Sequence, residues 1–138
     1  MTTRAAMIVI GYTQSDRRLT HASDEGLRDY IPACDGYRDG AVQHMSRAFL
    51  IDCDQVDHRP IALDLIEGVF IATNAPIESA RSDWRGRVVY DAMSKVGGFE
   101  RAVSVGDTVR VVTVDDEQII DETYACDRAG WTLIRKGE

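Results

Sequence analysis

Apolar side chains recur along this chain in two periods, and the switches between them outline a fold. Ala5-Ala-Met-Ile-Val-Ile10, stopped by Gly11, is short and apolar on both faces, which predicts a first strand over 4–12 inside a sheet. Thr13 to Thr20 is polar and carries Asp16, Arg17 and Arg18, as an exposed turn does. Ser23-Asp24-Glu25 has the form of a helix start, with Ser23 as N-cap, for a short helix through Leu27 and Tyr30 that Pro32 closes. Asp35-Gly36 and Asp39-Gly40 mark a loop. Between Val42 and Cys53, Met45, Ala48, Phe49 and Ile51 fit a helical period, but Ala48-Phe-Leu-Ile51 ending at Asp52 favours a strand.

The helical period is plainest after Pro60. Ile61, Leu65 and Val69, with Ile66, Phe70 and Thr73, recur at three- and four-residue steps, while Asp64 and Glu67 share another side. Pro60 opens this helix and Asn74-Ala-Pro76 ends it. A second helix over 85–96 carries Val88, Val89, Ala92, Met93 and Val96 and stops at Gly97-Gly98. Three strands then follow, over 103–114, 119–126 and 131–135. The acidic turn Asp115-Asp-Glu117 and the hairpin connection at 127–130 join them too closely for anything but antiparallel neighbours. The prediction is one α+β domain over 1–138, a mainly antiparallel sheet of about five strands with two main helices on one face and a C-terminal three-stranded meander.

Composition changes this picture little: hydrophobic residues at 44% and charged residues at 28% are ordinary for a globular chain. No apolar run approaches the roughly 20 residues needed to span a bilayer, so a cytoplasmic protein without membrane contact is expected. Cys34, Cys53 and Cys126 form no CxxC pair and fit a reducing compartment. With His21, His44 and His58 they offer only Cys53-x4-His58 as a close pairing, which lacks a second ligand pair for zinc. Asp52-x-Asp54-x-x-Asp57 departs from a calcium loop, since Val56, Asp57 and Leu63 stand at its fifth, sixth and twelfth positions. No metal and no cofactor are expected.

The formal net charge of −7 argues against a nucleic-acid binder that works by phosphate neutralisation. Residues 100–138 hold nine acidic against five basic side chains, and a face around Asp115, Asp116, Glu117, Asp121 and Glu122 reads as a solubilising surface or, more sharply, as a docking surface for a basic partner. Arg81, Arg85 and Arg87 form a small basic cluster, the second candidate contact for an acidic partner or for DNA.

Three blocks carry a resemblance: Leu65-Ile-Glu-Gly-Val-Phe with Thr73-Asn74-Ala-Pro76, then Arg101-Ala-Val-Ser-Val-Gly-Asp-Thr-Val109, then Tyr124-x-Cys126-Asp127-x-x-Gly130-Trp131. In order and spacing, from roughly residue 60 to 134, they resemble the YodL-like domain family of small proteins encoded on bacterial plasmids, phages and integrative elements. Two departures stand out: Ala102 or Val103 replaces the first Ser of the family's strand, and 78–98 is an inserted helix. The resemblance implies an accessory protein of a mobile element, associated with antirestriction, counter-defence or plasmid maintenance, and it implies no particular chemistry.

A nucleophile needs a base within hydrogen-bond reach, and no such set is legible here. Cys126 and Asp127 are the catalytic candidates, for a cysteine-dependent hydrolase or transferase, yet a strand Cys is more often a small buried hydrophobe and Asp127 a turn former. Ser104 and Asp107 around Gly106 have a sufficient explanation as a turn. Trp84 and Trp131 read as packing residues. The reading favours an interaction protein that occludes a basic surface of a host or defence protein.

Overall fold

The computed structural model describes residues 4–14, 16–23, 26–30, 32, 36–55 and 60–137, with the backbone alone for 16–23, 26–30 and 55. Strand β1 (Ala5–Thr13) is flanked on one side by β4 (Gln43–Met45) and β5 (Phe49–Asp52) and on the other by β6 (Thr108–Val114). β7 (Ile119–Asp127) and β8 (Gly130–Lys136) follow outward as antiparallel neighbours. The sheet has six strands in the order β4-β1-β6-β7-β8, with β5 beside β4 on the same edge of β1, and every pairing is antiparallel. The α+β class, the interior first strand and the C-terminal meander are as the sequence predicts.

The differences are local. One strand was expected over 42–53, but it divides into β4 and β5 at Ser46, whose Oγ accepts the Ile10 N–H at 2.8 Å, so the sheet gains a sixth member. The expected turn over 13–20 and helix from Ser23 are instead β2 (Asp16–Ser23) and β3 (Gly26–Tyr30), a separate two-stranded antiparallel sheet. Leu27 and Tyr30 alone offered an apolar stripe too narrow to hold a helix on a core, and a ladder satisfies the same backbone groups without one.

Pro60 precedes α1 (Ala62–Asn74) rather than opening it, and the Asp64 carboxylate caps the entry by accepting the Ile61 N–H at 3.0 Å. A short α2 (Ile77–Ser82), not expected from sequence, turns the chain into α3 (Trp84–Ser94), where Asp83 accepts the Arg85 N–H at 2.9 Å. Gly97 and Gly98 end it at φ +99° and +89°, with the Gly98 N–H on the Met93 carbonyl.

Alternate residues of β1 and β6, Ala6, Ile8 and Ile10 with Val109 and Val111, meet Leu65, Ile66 and Val69 of α1 and Val89 and Met93 of α3 in one buried core. The helices cross closely. A Cβ on Gly68 would stand 2.5 Å from the Arg85 carbonyl and 2.7 Å from Val89 Cγ2, and one on Gly86 2.5 Å from the Ala80 carbonyl. α1 lies against β6 and α3 against β5, so the half-buried Trp131 and exposed Leu133, on the helix side of β8, fall outside the helical cover.

Gly68→Ala is therefore expected to destabilise the protein by about 1–3 kcal/mol in urea unfolding, as overpacking does. Glu78→Ala on exposed α2 should stay within about 0.5 kcal/mol.

Candidate functional site

Residues 101–107 lead into β6 as an irregular loop, not as the strand expected from Val103, and a buried carboxylate organises it. Asp107 is 0% exposed. Arg101 grips it with two bonds, Nη1 to Oδ2 at 2.7 Å and Nη2 to Oδ1 at 2.8 Å. The same carboxylate accepts the backbone N–H groups of Ser104 and of Thr13, both at 2.9 Å. Thr13 Oγ1 donates to the Gly106 carbonyl at 2.7 Å, and Gln43 Nε2 donates to Thr13 Oγ1 and Thr108 Oγ1. The Arg101 guanidinium also lies 4.8 Å from the ring centroid of buried Tyr12. Gly106 turns this loop at φ +95°, close against Pro32.

A second tie fixes the loop to the helices. The Val103 N–H donates to Thr73 Oγ1 at 3.1 Å, and Asn74 Nδ2 donates to the Val103 carbonyl at 2.9 Å. The Gly106 N–H donates to the Cys126 carbonyl and the Cys126 N–H to the Asp107 carbonyl, both at 2.8 Å. The three sequence blocks therefore meet at one end of the sheet, although they are separated along the chain.

Between them lies an open groove of about 400 Å³. Phe70, Val103, Val105 and Trp131 make its apolar lining, and Glu67 and Asp127 its acidic part. Phe70 and Trp131 meet edge to face at 6.4 Å and 86°. Cys126 is a buried free thiol at this groove. Burial pushes its pKa up, and the carboxylates of Asp107, Asp127 and Glu67 push the same way. No histidine among the described residues lines the groove. A neutral thiol without a base is poorly placed for nucleophilic attack. Asp127 Oδ1 accepts the Arg128 N–H at 2.9 Å, the turn role its sequence position suggests.

The other sequence candidates are dispersed. His44 lines a separate cavity of about 420 Å³ with Tyr12, Phe49 and Phe99, and its Nε2 lies 3.2 Å from Glu100. Cys34, His58 and Asp57 fall outside the described residues, as does the side chain of His21. No group of three potential metal ligands occurs among the described residues.

The acidic residues do not compose one face. Asp115 caps its own turn by accepting the N–H groups of Glu117 and Gln118, both at 2.8 Å, which lowers its pKa. Asp116 pairs with Arg4. Asp121 is held bidentate by Arg110, at 2.9 and 2.6 Å, and its pKa is lowered by that partner. Glu122, on the opposite face of β7 from Asp121, accepts the Tyr124 hydroxyl at 3.1 Å. Only the Glu117 carboxylate of the five stands without a hydrogen-bond or ion-pair partner among the described residues.

The arginines are similarly occupied. Arg81 bonds Asp91 at 2.6 Å and lies over the Tyr90 ring, and Arg85 forks onto Asp83. Arg87 makes no ion pair among the described residues. Glu67 and Phe70, which the sequence reading placed on the helix and in the resemblance block but gave no site role, emerge as groove residues. Their signal was the 67, 70, 74 spacing, one flank of a helix that ends in the resemblance-bearing Asn74.

Comparison with protein-family models, curated proteins and solved structures returned no match.

Arg101→Met should lower stability by about 2–3 kcal/mol in urea, less than the roughly 3–5 of a fully buried pair because Arg101 is 43% exposed. Combined with Asp107→Asn it should add much less than it does alone, which a double-mutant cycle reads directly.

Cys126 generates a pH prediction with a definite sign. Its folded-state pKa is raised, so above the ordinary thiol pKa the unfolded chain binds fewer protons than the folded one and stability falls as pH rises. Cys126→Ser should flatten that alkaline decline. In wild type at neutral to mildly alkaline pH, iodoacetamide should label Cys126 at least about tenfold faster in urea than in the folded protein, read by peptide mass mapping.

Proposed function

We propose that this chain is a small acidic binding protein that works by occupying a surface of another protein rather than by catalysis. The observation that carries the reading is the groove itself. It is apolar inside and acidic at its margin, and among the described residues its one thiol is buried, neutral and without a histidine. Such a site suits a side chain of a partner better than a reacting atom.

Two further observations support it. Arg81 and Arg85 are engaged by Asp91 and Asp83, which leaves little cationic surface there for phosphate. No helix among the described residues is long and apolar enough to cross a membrane. The resemblance to YodL-like domains supplies the setting of the proposal: an accessory protein of a mobile element or phage, acting in the cytoplasm on a host or defence protein, in the manner of an antirestriction factor. The partner surface is basic, because the chain carries a net charge of −7.

Affinity capture from a bacterial lysate should recover a stoichiometric protein partner, and Cys126→Ser should recover it equally. Loss of a measured phenotype in Cys126→Ser, with the fold intact, would favour the cysteine-enzyme reading instead. Gel retardation of DNA by the wild-type protein at low salt, weakening as salt rises, would replace the protein partner with nucleic acid.

A further inference from the structure

We propose that the outer edge of β8, with the groove between it and α1, docks an extended segment of a partner protein in which an apolar side chain is followed two residues later by Lys or Arg. The proposal rests on the reading of this chain as a binding protein and assigns that reading a place and a ligand chemistry.

The ladder shows which backbone groups face outward. Cys126 spends its N–H and carbonyl on the β6 side, at Asp107 and Gly106. Hydrogen-bond direction alternates along an antiparallel strand, so Ala125 and Asp127 turn theirs toward β8, where Thr132 and Gly130 stand opposite. Trp131 and Leu133 therefore direct their N–H and carbonyl groups away from the sheet. Among the described residues no strand pairs with that side of β8.

The side chains of Trp131 and Leu133 lie on the helix face, and Leu133 is 45% exposed. Leu63, Glu67, Phe70 and Asn74 form the facing flank of α1, with Leu63 52% and Phe70 38% exposed. A strand added to β8 would place the residues opposite Trp131 and Leu133 on this same face, above the groove. Phe70 and Trp131 offer an aromatic corner for the apolar one. Glu67, which has no ion pair among the described residues, supplies the charge complement for a cation two positions along.

The second half of β8 is protected against self-pairing. A register shift between Thr123 and Tyr124 bends the ladder, and Arg135 and Lys136 place cations on the edge. Two copies of a chain with net charge −7 also repel. A foreign basic segment on the first half of the edge meets neither obstacle.

The test uses two fluorescein-labelled peptides, two repeats of Leu-Thr-Arg-Thr and the same sequence with Glu for Arg, titrated with the full chain and read by anisotropy. The basic peptide is expected to bind at least about tenfold tighter than the acidic one. Leu133→Pro removes an outward N–H without touching the β7 ladder and should abolish that binding, with circular dichroism reporting the fold. Should that variant unfold, Glu67→Lys carries the test, and it should weaken the basic peptide and strengthen the acidic one. Equal binding of both peptides, or unchanged binding by Leu133→Pro or Glu67→Lys, overturns the proposal. So does a wild-type dimer that Leu133→Pro dissociates, because the edge then belongs to a second copy. A lysate partner captured equally by wild type and both variants removes this site and leaves the binding reading standing. Absence of any stoichiometric partner for wild type counts against the reading itself.

Discussion

The Arg101–Asp107 pair is the constraint on which this end of the molecule depends. A fully buried carboxylate is tolerated only where charge and hydrogen bonds replace its water. Arg101 supplies the charge from six residues upstream, so the loop closes on itself before β6 begins. The amide of Thr13, ninety-four residues away in sequence, supplies another of the bonds and ties the end of β1 to the same atom. Thr73 and Asn74 then hold the Val103 backbone to the end of α1. Remove the carboxylate and the loop that joins β1, α1 and β7 loses its bonds to Arg101, Ser104 and Thr13, leaving its backbone ties to α1 and β7.

Negative charge is distributed with the same logic. The chain carries seven more acidic than basic residues, yet most of the carboxylates that suggested an acidic face are committed to local partners. Residual field matters where a carboxylate makes no ion pair and faces an apolar surface. Glu67 at the groove, with no ion pair among the described residues and Arg85 only as a nearby charge, is such a case, and burial together with Asp107, Asp127 and Glu67 holds the Cys126 thiol neutral. Local geometry, more than net charge, selects the place where a cation would be attracted.

The sequence made the large elements legible because their signals are physical and local. The apolar run of β1, the stripe of α1 and the turn residues between β6, β7 and β8 each specify an element without distant partners. It failed at 16–30, where Ser23 and Glu25 imitate a helix start while Leu27 and Tyr30 give that helix too little to bury. It failed again at Val103, where β-branched residues suggested strand but Ser104 and Asp107 claim the backbone for a turn. Asp107 was readable as a turn former, and its bonds to Ser104 bear that out. Its bond to Thr13 was invisible, because no spacing rule connects positions so far apart. The groove was half visible: the blocks containing Asn74, Cys126 and Trp131 stood out by resemblance, whereas the roles of Glu67 and Phe70 required knowing which flank of α1 faces β8.

Helix packing explains why that flank is open. Gly68 and Gly86 remove side chains from the crossing, so α1 approaches α3 until backbone carbonyls limit the distance. The helical layer is drawn over β5, β1 and β6 and stops short of β8. A side chain at Gly68 would meet the Arg85 backbone and Val89, and one at Gly86 would meet Ala80 and Ile71, so either would loosen the close packing of the helices. The groove is thus a consequence of tight packing elsewhere, not a defect in the core. This also accounts for aromatic rather than aliphatic residues at its corner, since Phe70 and Trp131 can meet edge to face while remaining partly exposed. The same close crossing that stabilises the helix pair keeps the first half of β8 accessible, while the bulge and the cations Arg135 and Lys136 restrain the second half.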